Sequence, residues 1–130
     1  METNNKILIV DDDEDICHLM ERIVKSEKLP SKSVNKLENV INVVQDFDPK
    51  IIFLDNQLPD GTGVDQISSL KLKFPGLRVI LVTGDTKPGL REEARDKGAD
   101  LFITKPFSSS VIKEILHMFL PIGTNVWHAA

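Results

Sequence analysis

Five residues of this chain have types and positions that could do chemistry together. Asp11 and Asp12 follow the apolar run Lys6-Ile7-Leu8-Ile9-Val10, and Asp55 closes Ile51-Ile52-Phe53-Leu54-Asp55. Thr83 follows Val79-Ile80-Leu81-Val82, and Lys105 comes just after Leu101-Phe102-Ile103. Apolar runs this short read as strands buried on both faces, the kind found inside a parallel sheet. Parallel strands all end at one edge, where open α/β folds place their ligands. Three carboxylates, one hydroxyl and one ammonium would then share a rim. Carboxylates that close repel one another unless a positive charge compensates. An all-oxygen donor set suits a hard cation, and Mg²⁺ binds through one or two carboxylates, waters and phosphate oxygens. With Lys105 as a second positive charge and Thr83 as a donor, the rim suits a tetrahedral anion. Asp55 can serve there as the nucleophile of a phosphoryl transfer, with the charge of the moving group neutralised by the metal and Lys105.

The elements that must position these groups follow from periodicity. Ile16, Leu19, Met20, Ile23 and Val24 form one helical face; Leu37, Val40, Ile41, Val44 and Phe47 a second; Val64, Ile67, Leu70 and Phe74 a third. A less apolar helix is expected from about Pro88 to Lys97, with Gly98 as its C-cap, and Val111, Ile112, Ile115, Leu116 and Phe119 mark the last. Lys32-Ser33-Val34-Asn35 is expected as a short edge strand. Helices stop at Leu29-Pro30, Asp48-Pro49, Pro75-Gly76 and Pro121. Five strands alternating with five helices imply an α/β fold: a doubly wound, five-stranded parallel sheet of order 2-1-3-4-5, flavodoxin-like, with helices on both faces. That order sets the first and third strands side by side, so Asp11 and Asp12 lie next to Asp55. Asp13, at the start of the first helix, reads as its cap.

Composition narrows the function classes. With 130 residues one domain is expected, here residues 1–121, followed by a tail or truncated linker at 122–130. A net charge of -4, with no Lys or Arg run longer than a pair, argues against direct nucleic-acid binding. The chain holds no apolar stretch of membrane-spanning length and does not begin like a signal peptide. The single Cys17 fits a reducing compartment, so a cytoplasmic protein with a packed, unreactive thiol is expected. His18, His117 and His128 show no metal-binding spacing, and Trp127 stands in the tail as a partner contact or a plain chain end.

The stretches Ile7-Leu-Ile-Val-Asp-Asp-Asp-Glu-Asp-Ile16, Leu54-Asp-Asn-Gln-Leu-Pro-Asp-Gly-Thr-Gly63, Val82-Thr-Gly84 and Gly98-Ala-Asp-Leu-Phe-Ile-Thr-Lys-Pro-Phe107 resemble the receiver domains of two-component response regulators, from about Lys6 to Phe119. The resemblance implies that Asp55 receives a phosphoryl group from a histidine kinase or phosphotransfer protein. It implies Mg²⁺, or alternatively Mn²⁺, held by Asp11, Asp12, Asp55 and the backbone carbonyl of Gln57. Lys105 would pair with Asp55 and then with the phosphate, Thr83 would swing toward the phosphate, and Phe102 would follow it inward. The Lys105–Pro106 bond is expected cis. Output is expected from the face of the fourth helix, fifth strand and fifth helix, through a downstream protein, a fused effector domain or a phosphorylation-dependent homodimer. Apart from accepting the phosphoryl group and slowly releasing it, no enzymatic activity is implied.

Two departures stand out. Phe102 occupies a position where Tyr is frequent, and it lacks the hydroxyl that a tyrosine-based output would use. No effector domain follows Pro121, which suits either a stand-alone receiver or one cut from a longer chain. Gly84 leaves the entrance open, and Gln57 and Asp85 are expected to flank it and tune loss of the phosphoryl group. A haloacid-dehalogenase-like phosphatase would need a second Asp where this chain has Gln57. A nucleotide-binding domain would need a glycine-rich loop that follows none of the strands. A pseudo-receiver acting by contacts alone would not need to keep all five polar residues.

Overall fold

The computed structural model describes residues 5–85 and 87–121; the expectations for Trp127, His128 and the rest of 122–130 lie outside the described residues. The chain runs β1 (Ile7–Val10), α1 (Glu14–Ser26), β2 (Ser31–Val34), α2 (Val40–Phe47), β3 (Ile51–Asp55), α3 (Ile67–Lys73), β4 (Arg78–Thr83), α4 (Leu90–Asp96), β5 (Leu101–Thr104) and α5 (Ser109–Phe119). The five strands form one parallel sheet in the order β2-β1-β3-β4-β5. This is the doubly wound, flavodoxin-like architecture expected from the alternation. Among the described residues, no helix is long and apolar enough to cross a membrane.

Alternation along each strand splits the core into two layers. Leu8, Val10, Ile52, Leu54, Val79 and Leu81 face α2, α3 and α4, meeting Val40, Val44, Ile67, Leu70, Leu90 and Ala94. Ile7, Ile9, Ile51, Phe53, Ile80 and Val82 face α1 and α5, meeting Met20, Val24, Ile112, Ile115 and Leu116. The central strands therefore carry no polar residue until they reach their ends. That is the pattern of a parallel sheet covered on both sides.

Local signals fix the ends of the helices. Asp13 caps α1, its carboxylate accepting the amides of Asp15 (2.9 Å) and Ile16 (3.4 Å). Gly98, at a φ of 110°, follows α4 in a conformation that favours glycine. Its amide bonds the Arg95 carbonyl and that of Ala99 bonds Ala94, the paired closure of a Schellman motif. Three boundaries differ from expectation. β2 starts at Ser31, because its ladder with Ile7–Val10 sets the register more firmly than its weak pattern does. Leu37 packs in the core but precedes α2. The third helical face begins as a 3₁₀ turn over Gly63–Gln66, preceded by a small hairpin pairing Gln57–Leu58 with Gly61–Thr62, which the turn-rich composition did not disclose.

Candidate functional site

Parallel register carries the polar residues to one edge. Val10 pairs with Leu54, so the next residues, Asp11 and Asp55, stand side by side. Both are nearly fully buried, with 3% and 5% of their surface exposed, whereas Asp12 is exposed. Asp11, Asp12 and Asp55 each offer a carboxylate oxygen within 4.8 Å of the others. Thr83 pairs with Thr104, which brings the start of the next loop, Lys105, alongside; the Lys105 amide donates to the Thr83 carbonyl at 2.9 Å. The Lys105 ammonium reaches back to Asp11 at 2.8 Å and Asp55 at 3.5 Å. The lysine expected to pair with Asp55 thus lies closer to Asp11 and bridges the two buried carboxylates. The Lys105–Pro106 peptide is cis.

The electrostatics follow from this crowding. Burial, and next the charge of Asp11, push the Asp55 carboxyl up to about 6, against the opposing pull of Lys105 and the amides of Gln57 and Asn56. Burial alone would draw the Lys105 ammonium down. Its hydrogen bond to Asp11 and the charges of Asp11 and Asp55 outweigh that and leave it above its usual value. Asp11 also accepts the Asp13 amide at 2.9 Å, which ties it to the start of α1. Three carboxylates against one ammonium leave an excess of negative charge, and the donors are all oxygen. That set fits a small divalent cation of the Mg²⁺ or Mn²⁺ kind.

The other expected residues spread around this centre. Thr83 is fully buried, and its hydroxyl oxygen accepts the Asp85 amide at 2.9 Å. Asp85 turns its carboxylate onto the Lys87 amide at 2.9 Å. Gly84 is exposed, and a Cβ built there would stand 3.9 Å from that of Lys105, in ordinary contact, so the position has room for a small side chain. The Gln57 side chain is exposed. Phe102 packs on the α2–α3–α4 layer, under the Arg91 guanidinium at 4.5 Å from its ring centre. Cys17 is buried and donates from its sulfur to the Asp11 carbonyl at 3.2 Å; burial, with Asp11 adding to it, pushes the thiol up to about 11, which makes it an inert packing group. His18 lines a cleft of about 590 Å³ that runs from Asp11 between α1 and the segment linking β2 to α2. His117 pairs with Glu27 at 2.8 Å, tying α5 to the end of α1.

Two residues escaped sequence reasoning. Asn56, only 3% exposed, accepts the Val64 amide on its side chain at 2.9 Å, and its carbonyl accepts the Gly63 amide at 2.8 Å. Asp60 accepts the amides of both Leu37 and Glu38 at 2.8 Å, clamping the loop after β3 to the segment before α2. Both sit in a run of turn formers, where Asn and Asp read as turn composition. The one available signal was an Asn placed directly after Asp55, at the end of a fully buried strand.

Comparison with known proteins agrees with this geometry. The family model of the response regulator receiver domain matches residues 7–117. The chain is 28% identical to the sporulation initiation phosphotransferase F of Bacillus subtilis, over 94% of this chain and 98% of that one. It is 32% identical to the chemotaxis protein CheY of Listeria monocytogenes, over 85% of this chain and 94% of that one. A solved CheY-like receiver domain protein from Methanospirillum hungatei superposes with a TM-score of 0.80 at 26% identity, covering 88% of this chain and 95% of the other. With the sheet order, the buried acid pair and the bridging lysine already in place, these matches establish that the chain belongs to the receiver domains of two-component response regulators, which are signalling switches.

Proposed function

We propose that Asp55 accepts a phosphoryl group from a histidine kinase or phosphotransfer protein, and that the change is read out on the α4–β5–α5 face. The observation that carries this reading is the convergence of Asp11, Asp12 and Asp55 with the Lys105 ammonium on one sheet edge. Asp11, Asp12, Asp55 and the Gln57 carbonyl would hold the Mg²⁺. Once bound, that ion would neutralise phosphoryl oxygens and polarise the phosphorus.

The chain's own residues do the rest. Asp55, raised to about 6, is mainly ionised at neutral pH and nucleophilic. One of its carboxylate oxygens forms a bond to phosphorus as the bond from phosphorus to the donor's imidazole nitrogen breaks, with the electron pair leaving on that nitrogen. Lys105 keeps its charge throughout and moves from the carboxylates to the phosphoryl oxygens. The Thr83 hydroxyl, at the end of β4, is free to donate to a phosphoryl oxygen because its bond with Asp85 uses it only as an acceptor. The added charge and acceptor oxygens draw these groups inward and bias the loops that lead to α4 and α5. Gln57, Gly84 and Asp85 flank the entrance and set how readily water removes the phosphoryl group. Output runs through a downstream protein, a fused effector domain or a phosphorylation-dependent homodimer.

Incubation with a small-molecule phosphodonor and Mg²⁺, followed by intact-mass measurement, tests the assignment. The wild type is expected to gain one phosphoryl group, and Asp55→Asn none. Equal labelling of the Asn variant removes Asp55 as the acceptor.

A further inference from the structure

The loop after β3 is a hairpin, and its phase decides what the Gln57 carbonyl can do. Gln57 faces Thr62 and Leu58 faces Gly61. One step closer to the strand, the Gly63 amide donates to the Asn56 carbonyl at 2.8 Å, which sets Asn56 and Gly63 at a bonded position of the ladder. Antiparallel pairs alternate between bonded and non-bonded. Gln57 and Thr62 are therefore the non-bonded pair, and the Gln57 amide and carbonyl both point away from Thr62. The amide, with that of Asn56, helps to hold the charge of the Asp55 carboxylate. The carbonyl is left off the ladder, which leaves it open to a cation.

A hairpin of two-residue strands does not hold its own register, because a one-residue slip exchanges the two kinds of pair. The slip would put the Gln57 carbonyl into the ladder. The Asn56 side chain opposes it. Its carbonyl oxygen takes the Val64 amide at 2.9 Å, one residue beyond the bonded Gly63, in a buried position where an unmade bond is costly. Gly63 adds a steric stop: a Cβ there would overlap the Asp55 carbonyl oxygen, so the returning strand passes directly against the acceptor residue.

We infer that Asn56 is a positioning residue of the metal centre, whose side chain fixes the phase of the 56–64 hairpin and so keeps the Gln57 carbonyl available to Mg²⁺. This rests on the proposed function above. The test is a titration of isotopically labelled protein with Mg²⁺ alone, read by NMR. In the wild type the Gln57 carbonyl carbon is expected to shift as the ion binds. Asn56→Leu, which keeps the volume but loses the acceptor, is expected to weaken Mg²⁺ about tenfold, the effect typical of a group that orients a ligand, and to lose most of the Gln57 shift. Leu70→Ala, a core change in α3, is expected to lower the melting temperature with the Mg²⁺ affinity of the folded protein unchanged, which separates positioning from mere stability. A folded Asn56→Leu protein with wild-type affinity overturns the inference while leaving the proposed function standing; a wild type that binds no Mg²⁺ overturns both. Should Asn56→Leu not fold, amide exchange in the wild type decides instead. Binding and loop phase are reciprocally linked, so Mg²⁺ must slow exchange of the Val64 amide several-fold, and an unchanged rate rejects the role of Asn56.

Discussion

At the residue scale, the acid pair and its lysine hold opposite parts of one balance, so removing either should move stability in opposite directions. Asp55 lies buried beside Asp11, and the cost of its charge shows in a carboxyl raised to about 6. In a chelator at neutral pH, Asp55→Asn removes that repulsion and is expected to stabilise the fold by about 1–2 kcal/mol. Lys105→Met does the reverse, leaving Asp11 and Asp55 without their ammonium, and should cost about 1–3 kcal/mol. Urea titration in EDTA measures both; a destabilised Asp55→Asn protein would contradict the charge argument. Gly63 makes a different kind of demand. Its backbone needs space rather than an unusual φ, since an added Cβ meets the Asp55 carbonyl and Leu54. Gly63→Ala should therefore cost about 2–3 kcal/mol through overpacking, visible in the same titration.

At the element scale, apolar runs and helical stripes placed every strand and helix of the sheet, because burial on both faces leaves little room for other patterns. β2 was the weakest, since Ser31, Lys32 and Ser33 are polar or exposed and only pairing with β1 defines them. Strand ends were legible as well, which is why Asp11, Asp55, Thr83 and Lys105 stood out. The hairpin after β3 was not, because Asn56, Pro59, Asp60 and Gly61 look alike as turn formers and differ only in what they bond. Nor could sequence show that Phe102 lies against Arg91, which depends on packing between α4 and β5. Asp60 gives the hairpin a pH dependence. The Leu37 and Glu38 amides hold its carboxyl below the usual Asp value, so the folded form favours the ionised group. Its stabilisation is complete above the unfolded value near 3.8 and is lost as pH falls through the lower folded value. Asp60→Ala should lower the melting temperature at pH 7, and the gap to wild type should narrow at the acid end. A gap that stays constant with pH would mean the clamp does not depend on the carboxylate charge.

At the scale of the molecule, one sheet separates two apolar layers, and the acid site lies at its edge where both meet. α1 and α5 close one layer, and α2, α3 and α4 close the other. Anything that relaxes the charge at Asp11, Asp12 and Asp55 therefore acts on strands shared by the whole core, and should be read as global stability. A ligand that binds only the folded chain adds RT ln(1 + [L]/Kd), about 1.4 kcal/mol at ten times Kd. For a domain of this size that corresponds to roughly 5 °C in melting temperature. Mg²⁺ at tenfold excess over its Kd should raise the wild-type midpoint by that amount over the value in EDTA. The rise should be much smaller for Asp55→Asn, which loses a ligand and also starts from a less strained metal-free state. Differential scanning calorimetry of both proteins, with and without Mg²⁺, makes the comparison. Equal shifts in the two would place the ion elsewhere on the surface, because only binding at the acid site depends on Asp55.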